Sequence, residues 1–169
     1  MVMISQRPAE VEDRAVPGHW EGDLIMGARK TSIGTLVERS TRYVMLLKLE
    51  KPTAEAVRTA MANKILALPE QLRRSVTWDQ GKEMADHVRF TVDTGVQIYF
   101  CDPHSPWQRG TNENTNGLLR QYFPKGTNLA AHSEKELDAV AEQLNERPRQ
   151  TLGWMTPSER LAQVVASTG

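Results

Sequence analysis

The first third of the chain is built of short apolar runs separated by polar breaks. HWEGDLIMGA (19–28), TSIGTLVERS (31–40) and TRYVMLLKLE (41–50) read as three strands joined by short turns. Val37, Tyr43, Val44, Leu46 and Leu47 supply the β-branched, aromatic and aliphatic character. Strands so closely spaced predict an antiparallel meander. The pattern then changes. Pro52-Thr53 opens AEAVRTAMANKILAL, whose apolar residues fall at helical spacing and which stops at Pro69. SVTWD (75–79) is a short strand, KEMADHVRFTVDTG (82–95) a helix closed by Gly95, and VQIYFC (96–101) an alternating strand. CDPHSPWQRGT is a loop and NENTNGLLRQYF (112–123) a helix. SEKELDAVAEQLNER (133–147) is a helix with Ser133 and Glu136 as a capping box, and TPSERLAQVV (156–165) a last helix capped by Thr156 with Pro157 in its first position. Residues 1–17 are polar, end at Pro17-Gly18 and read as a lead-in segment. A meander followed by βαβ crossovers predicts an α/β fold: a mixed five-stranded sheet, three antiparallel strands plus parallel ones, with helices on its faces.

The chain has 169 residues, enough for one domain with a real core, and 39% hydrophobic against 25% charged residues marks it as globular. Lys+Arg and Asp+Glu number 21 each, so no whole-molecule charge points to nucleic acid; a local basic patch or another domain would have to supply that attraction. The single cysteine, Cys101, cannot form an internal disulfide, and the N-terminal residues lack the apolar core of a signal peptide. No apolar run approaches membrane-spanning length. A cytoplasmic protein is the expectation.

Three carboxylates stand where such a sheet gathers its ligands. Asp23 interrupts the apolar stretch of the first strand, which is costly without a partner. Asp79 ends the strand TWD, and sites in open α/β sheets collect beyond the carboxyl ends of strands. Glu113 lies near the start of a helix, with 33 residues between it and Asp79. An Asp that ends a strand is most often a turn residue, and a Glu near a helix start usually complements the helix dipole. Converging carboxylates, however, suit metal-assisted phosphoryl transfer, because Mg²⁺ takes carboxylate, water and phosphate oxygens. His19, His87, His104 and His132 are too scattered for a zinc site, and neither a phosphate-binding GxxxxGK[ST] loop nor a G-x-S-x-G elbow is present.

The wording around the three acids is specific. HWEGDLI, TWDQGKEM and SPWQRGTNENTNGLLRQYFPKG resemble the DDE transposases of bacterial insertion sequences, in the group named after insertion sequence thirty, and the 33-residue spacer is that group's pattern. NERPRQTLGWMTPSERL (145–161) is similar to the way those catalytic domains end. The resemblance runs from about residue 7 to about residue 165. It implies an RNase H-like integrase catalytic core over 18–166, with Asp23, Asp79 and Glu113 as catalytic residues holding two Mg²⁺ ions, or Mn²⁺ as substitute. It implies DNA as partner, both transposon ends and target, and a homo-oligomer in the active complex. It also implies an N-terminal helix-turn-helix region that this sequence does not include.

The family's helix carries a basic residue seven positions after the Glu, and Arg120 stands there. Glu113, Asn116, Gly117 and Arg120 fall on one helix face at i, i+3, i+4 and i+7. Arg120 is expected to meet a DNA phosphate, with Asn112, Asn116, Arg109 and Lys125 as further DNA contacts. Without the family context this face reads as solvated polar helix. Trp20 and Trp78 read as core, His104 as an ordinary loop histidine, and Glu21 and Asp102 as acids that are not ligands. Trp107 is balanced between DNA contact and packing. Arg147 and Arg149 are read as structural, paired with Glu142, Glu146 or Glu159. Two other readings fit the same acids: a metal-dependent nuclease of the same fold, and a truncated, non-catalytic fragment that dimerises with a full-length transposase and inhibits it.

Overall fold

The computed structural model describes residues 2–3, 16–51, 53–78, 84–101 and 110–168, with the backbone alone at 110–114 and 168. Its strands are β1 (Val2–Met3), β2 (His19–Met26), β3 (Ser32–Glu38), β4 (Val44–Lys48), β5 (Ser75–Trp78) and β6 (Gln97–Phe100). Its helices are α1 (Ala54–Leu66), α2 (His87–Thr94), α3 (Gly110–Leu119), α4 (Glu134–Asn145) and α5 (Pro157–Thr168). The strands form one sheet in the order β1-β6-β5-β2-β3-β4. β2, β3 and β4 are the antiparallel meander, and β5, β6 and β1 add to it in parallel. The sequence predicts five strands, and the sixth is the correction. Val2 and Met3, read as part of the lead-in, pair with Tyr99 and Phe100 at the edge.

β2 is the centre of the sheet, with a partner on each side, and its pleat sends alternate residues to opposite faces. On one face Trp20 packs with Leu36, Val76, Trp78 and Ile98 beneath α1 and α2, through Val57, Met61, Ile65 and Phe90. On the other, Ile25 joins Ile33, Val37 and Leu46 beneath α3 and α4, through Leu119, Leu137 and Leu144. Trp20 is fully buried and its indole N–H donates to Leu72 O at 2.8 Å, so its core reading holds. Trp78 is likewise fully buried. Among the described residues no helix is long and apolar enough to cross a membrane.

Local chemistry sets the helix ends. Thr53 Oγ1 accepts from Ala56 N–H at 3.1 Å at the start of α1. Ser133 Oγ accepts from Glu136 N–H at 3.1 Å, the capping box that the sequence predicts. α5 carries a full reciprocal box: Glu159 N–H donates to Thr156 Oγ1 at 3.0 Å, and Thr156 N–H to Glu159 Oε1 at 2.9 Å. α2 ends on Gly95 in the left-handed region, φ 75°, as expected. It starts at His87, later than the sequence predicts. Asp86, in the capping position, makes no side-chain cap; its carboxylate accepts from Arg58 Nε of α1 at 2.7 Å.

Candidate active site

Asp23 sits at the middle of the sheet's central strand, half-buried, on the face covered by α3. Its carboxylate is already oriented. Oδ1 accepts from Leu24 N–H at 2.8 Å, and Oδ2 accepts from Asn116 Nδ2 of α3 at 3.1 Å. The second bond is the hinge of the site: it fixes which turn of α3 stands over which residue of β2. These two bonds orient the carboxylate.

The neighbouring strand ends one residue before the second expected acid. β5 runs parallel to β2 with Gly22 opposite Trp78. A Cβ on Gly22 would lie 2.2 Å from Trp78 Cε3, so only glycine lets the indole lie against β2 here. Asp79 follows Trp78 directly in sequence and lies outside the described residues, as do Arg109, Trp107, His104 and Asp102. Glu113 lies on the helical backbone of α3, three residues before Asn116 and on the same helix face. The side chains of Glu113 and Asn112 lie outside the described residues. Among the described residues no group of three or more His, Cys, Asp or Glu is placed to hold a metal. The donor that is described, a carboxylate on a rigid strand, has the hard-oxygen chemistry a divalent cation such as Mg²⁺ takes.

Beyond Asn116 the chain continues along β2. Arg120 donates through Nη2 to Met26 O at 3.1 Å and through Nη1 to Phe123 O at 3.3 Å. Two of its N–H groups thus tie the end of α3 to the end of β2. Next, Thr127 O accepts from Ala28 N–H at 2.8 Å, and Thr31 Oγ1 accepts from Leu129 N–H at 3.0 Å. Three successive ties run in step: 116 to 23, 120 to 26, 127 to 28. Lys125 lies exposed in the loop between the last two.

Other residues weighed from the sequence take structural roles. Glu21 is fully buried and accepts from Arg39 Nη1 at 2.9 Å. Arg147 and Arg149 are structural as read, but not through acids. Arg147 Nη2 donates to Tyr122 Oη at 2.7 Å and its guanidinium lies 5.6 Å from that ring's centre, while Arg149 Nη2 donates to Leu144 O at 3.2 Å. Burial, with Arg42 and Arg147 nearby, pushes the Arg149 guanidinium below its usual range. The role of Asn116 toward Asp23 has no separate signal in sequence beyond its place on the Glu113 face.

Comparisons with known proteins bear on the family and the fold. Models of the integrase core domain match residues 13–106 and 94–157. The transposase for insertion sequence element IS1086 of Cupriavidus metallidurans is 56% identical over 168 residues, 99% of this chain and 50% of that protein. Transposase InsI for insertion sequence element IS30C of Escherichia coli K12 is 54% identical over 165 residues, 98% of this chain and 43% of that protein. The chain therefore spans half or less of the length of these relatives. Among solved structures, the catalytic core domain of BIV integrase superposes with a TM-score of 0.66 at 19% identity, over 89% of this chain and 97% of that one. A chain of the simian T-cell lymphotropic virus intasome, in complex with the PP2A regulatory subunit B56 gamma, gives a TM-score of 0.67 at 19% identity, over 86% of this chain and 54% of that one.

Proposed function

Because the chain belongs to the integrase core domain family, as a catalytic core of the IS30-type DDE transposases with an RNase H-like fold, we propose that it cuts and rejoins DNA at the ends of an insertion sequence. Asp23, Asp79 and Glu113 are the catalytic triad, and together they would hold two Mg²⁺ ions or Mn²⁺ in their place. Two divalent ions bound there supply the charge that activates an attacking oxygen and neutralises the phosphate and the leaving oxygen. The reaction has two displacements at phosphorus. In the first, water attacks the phosphate that joins the element to flanking DNA; the P–O3′ bond breaks and the element's 3′-hydroxyl is released. In the second, that hydroxyl attacks a target phosphate, forms a new P–O bond and displaces the target's 3′-oxygen.

The observation that carries this reading is the bond from Asn116 Nδ2 to Asp23 Oδ2, 3.1 Å. It fixes α3 over β2, and residue 113 lies one turn before Asn116, about 4.5 Å along the helix axis. Trp78, the residue before Asp79 in sequence, pairs across the parallel strands with Gly22, the residue before Asp23. Asn116 and the Leu24 N–H hold the Asp23 carboxylate in place, so the chain's own contribution at Asp23 is preorganisation.

The test uses a branched DNA that mimics a joined end, incubated with the full chain and Mn²⁺. Wild type is expected to resolve the branch and return joined strands. Glu113→Gln and Asp23→Asn are expected to lose this activity by on the order of 10²–10³-fold or more, with the circular dichroism spectrum unchanged. Full activity in either variant would refute the triad.

A further inference from the structure

The balanced charge of the chain hides a local separation. Between Leu24 and Val37 there is no Asp or Glu, and none between Asn114 and Ser133; the two stretches hold Arg29, Lys30, Arg120 and Lys125. The fold lays them against each other. Ala28 N–H donates to Thr127 O at 2.8 Å, Leu129 N–H to Thr31 Oγ1 at 3.0 Å, and Arg120 Nη2 to Met26 O at 3.1 Å. Gly27 fits against Leu129 and Thr127 so closely that a Cβ there would lie 2.5 Å from both. The β2–β3 turn is thus stapled to the loop after α3, on the face that carries Asp23 and beyond the carboxyl end of β2.

The tip of that turn is strained. Arg29 and Lys30, both exposed, hold left-handed backbone with φ of 56° and 58°. Two consecutive left-handed residues are the geometry of a tight hairpin turn, which Asn-Gly or Gly-Gly satisfies without steric cost. Neither buries its side chain in return. Strain kept at exposed residues of one charge points to a use for those charges.

We propose that Arg29 and Lys30, with Lys125 beside them, form a clamp for the phosphate backbone of DNA next to the active site. This rests on the DNA-processing reading above and adds to it the surface that would hold the duplex. Phosphate contacts position a duplex without reading its sequence, and a rigid turn carrying two adjacent cations suits that task. It answers how a chain with no net charge attracts a polyanion: through one acid-free ridge.

The experiment measures binding of a fluorescein-labelled duplex of arbitrary sequence by anisotropy, across a salt series, with the full chain. The double variant Arg29→Gly/Lys30→Gly removes both cations and also relieves the turn, so its thermal midpoint should be equal or higher. Its affinity should fall at least tenfold at low salt. The slope of log K against log salt should become shallower by about 1.8, since each lost phosphate contact removes about 0.9. Arg89→Gln, which removes an exposed cation of α2, should bind like wild type. A double variant with wild-type slope and affinity overturns the clamp. If that occurs while Asp23→Asn still abolishes branch resolution, only the clamp falls. If the unsubstituted chain shows no salt-dependent binding, the clamp falls, while the DNA-processing reading stands or falls by branch resolution alone.

Discussion

Gly22 is the residue on which the packing of β2 against β5 turns. It faces Trp78 across the β2–β5 pair, and the indole occupies the space where any other side chain would begin. A methyl group at Gly22 meets two ring carbons at 2.2 and 2.3 Å, which neither strand can accept without moving. Overpacking of this kind costs about 1–3 kcal/mol. In a chain of this size each kcal/mol is worth about 2–4 °C in the thermal midpoint. Gly22→Ala is therefore expected to melt several degrees lower in a circular dichroism scan. On the proposed function its activity should fall by more than its stability does, because the shift begins one residue before both Asp23 and Asp79. A variant that melts like wild type would show that the indole can move freely, and that the Gly22–Trp78 contact does not set the register.

Among elements, the edge strand β4 shows a device that periodicity does not reveal. Strand edges expose backbone groups that invite pairing with other chains. Here Asn145, at the end of α4 and buried, donates through Nδ2 to Val44 O at 2.9 Å and accepts at Oδ1 from Val44 N–H at 2.9 Å. One amide thus stands in for a neighbouring strand at Val44. Asn145→Leu keeps the volume and strands both groups, each at about 1–3 kcal/mol. The midpoint should drop by roughly 5 °C or more, and an unchanged midpoint would mean that water replaces the amide. Such a tie spans 101 residues, so nothing near Asn145 in sequence announces it. The elements themselves were legible, because caps and strand patterns are local. Ser133, Thr53, Thr156 and Gly95 mark ends that the structure keeps. The start of α2 was not legible, because Arg58 of another helix takes Asp86 away from its cap. The two-residue strand β1 was not either, because two residues carry no period.

For the molecule as a whole, the family was legible through the words around the three acids, and Asp23 stood out by its isolation in an apolar strand. What holds Asp23 was not legible, since the bond to Asn116 is made only when α3 crosses β2. Nor was the sorting of charge: 21 cations and 21 anions cancel in the sum, yet residues 24–37 and 114–133 hold no acid, while other acids are buried. Glu38 is one of these. It is fully buried, and its carboxylate accepts from the backbone N–H groups of Ser40 and Thr41, at 2.9 and 3.1 Å, and from the Ser40 hydroxyl. Burial pushes its pKa up from the ordinary 4.5, and the bonds from Ser40 and Thr41 only partly oppose this. The folded state therefore holds the proton to higher pH than the unfolded chain does. By linkage, the stability Glu38 contributes is fully present below 4.5 and is lost as pH rises through the raised folded value. Glu136 and Glu159 act in the opposite sense. The His132 side chain holds Glu136 low and the Thr156 backbone N–H holds Glu159 low, so their contributions fade as pH falls; both are exposed, and the effect is slight. Glu38→Gln separates the two senses. Its single carbonyl oxygen can keep the donors that converge on Oε1, and it does not titrate. The midpoint of wild type minus that of Glu38→Gln should fall steadily as pH is raised from about 4.5 toward neutrality, with the difference flat below that range. A difference that stays constant across the whole series would mean that the hydrogen bonds from Ser40 and Thr41 fully offset the burial of the charge.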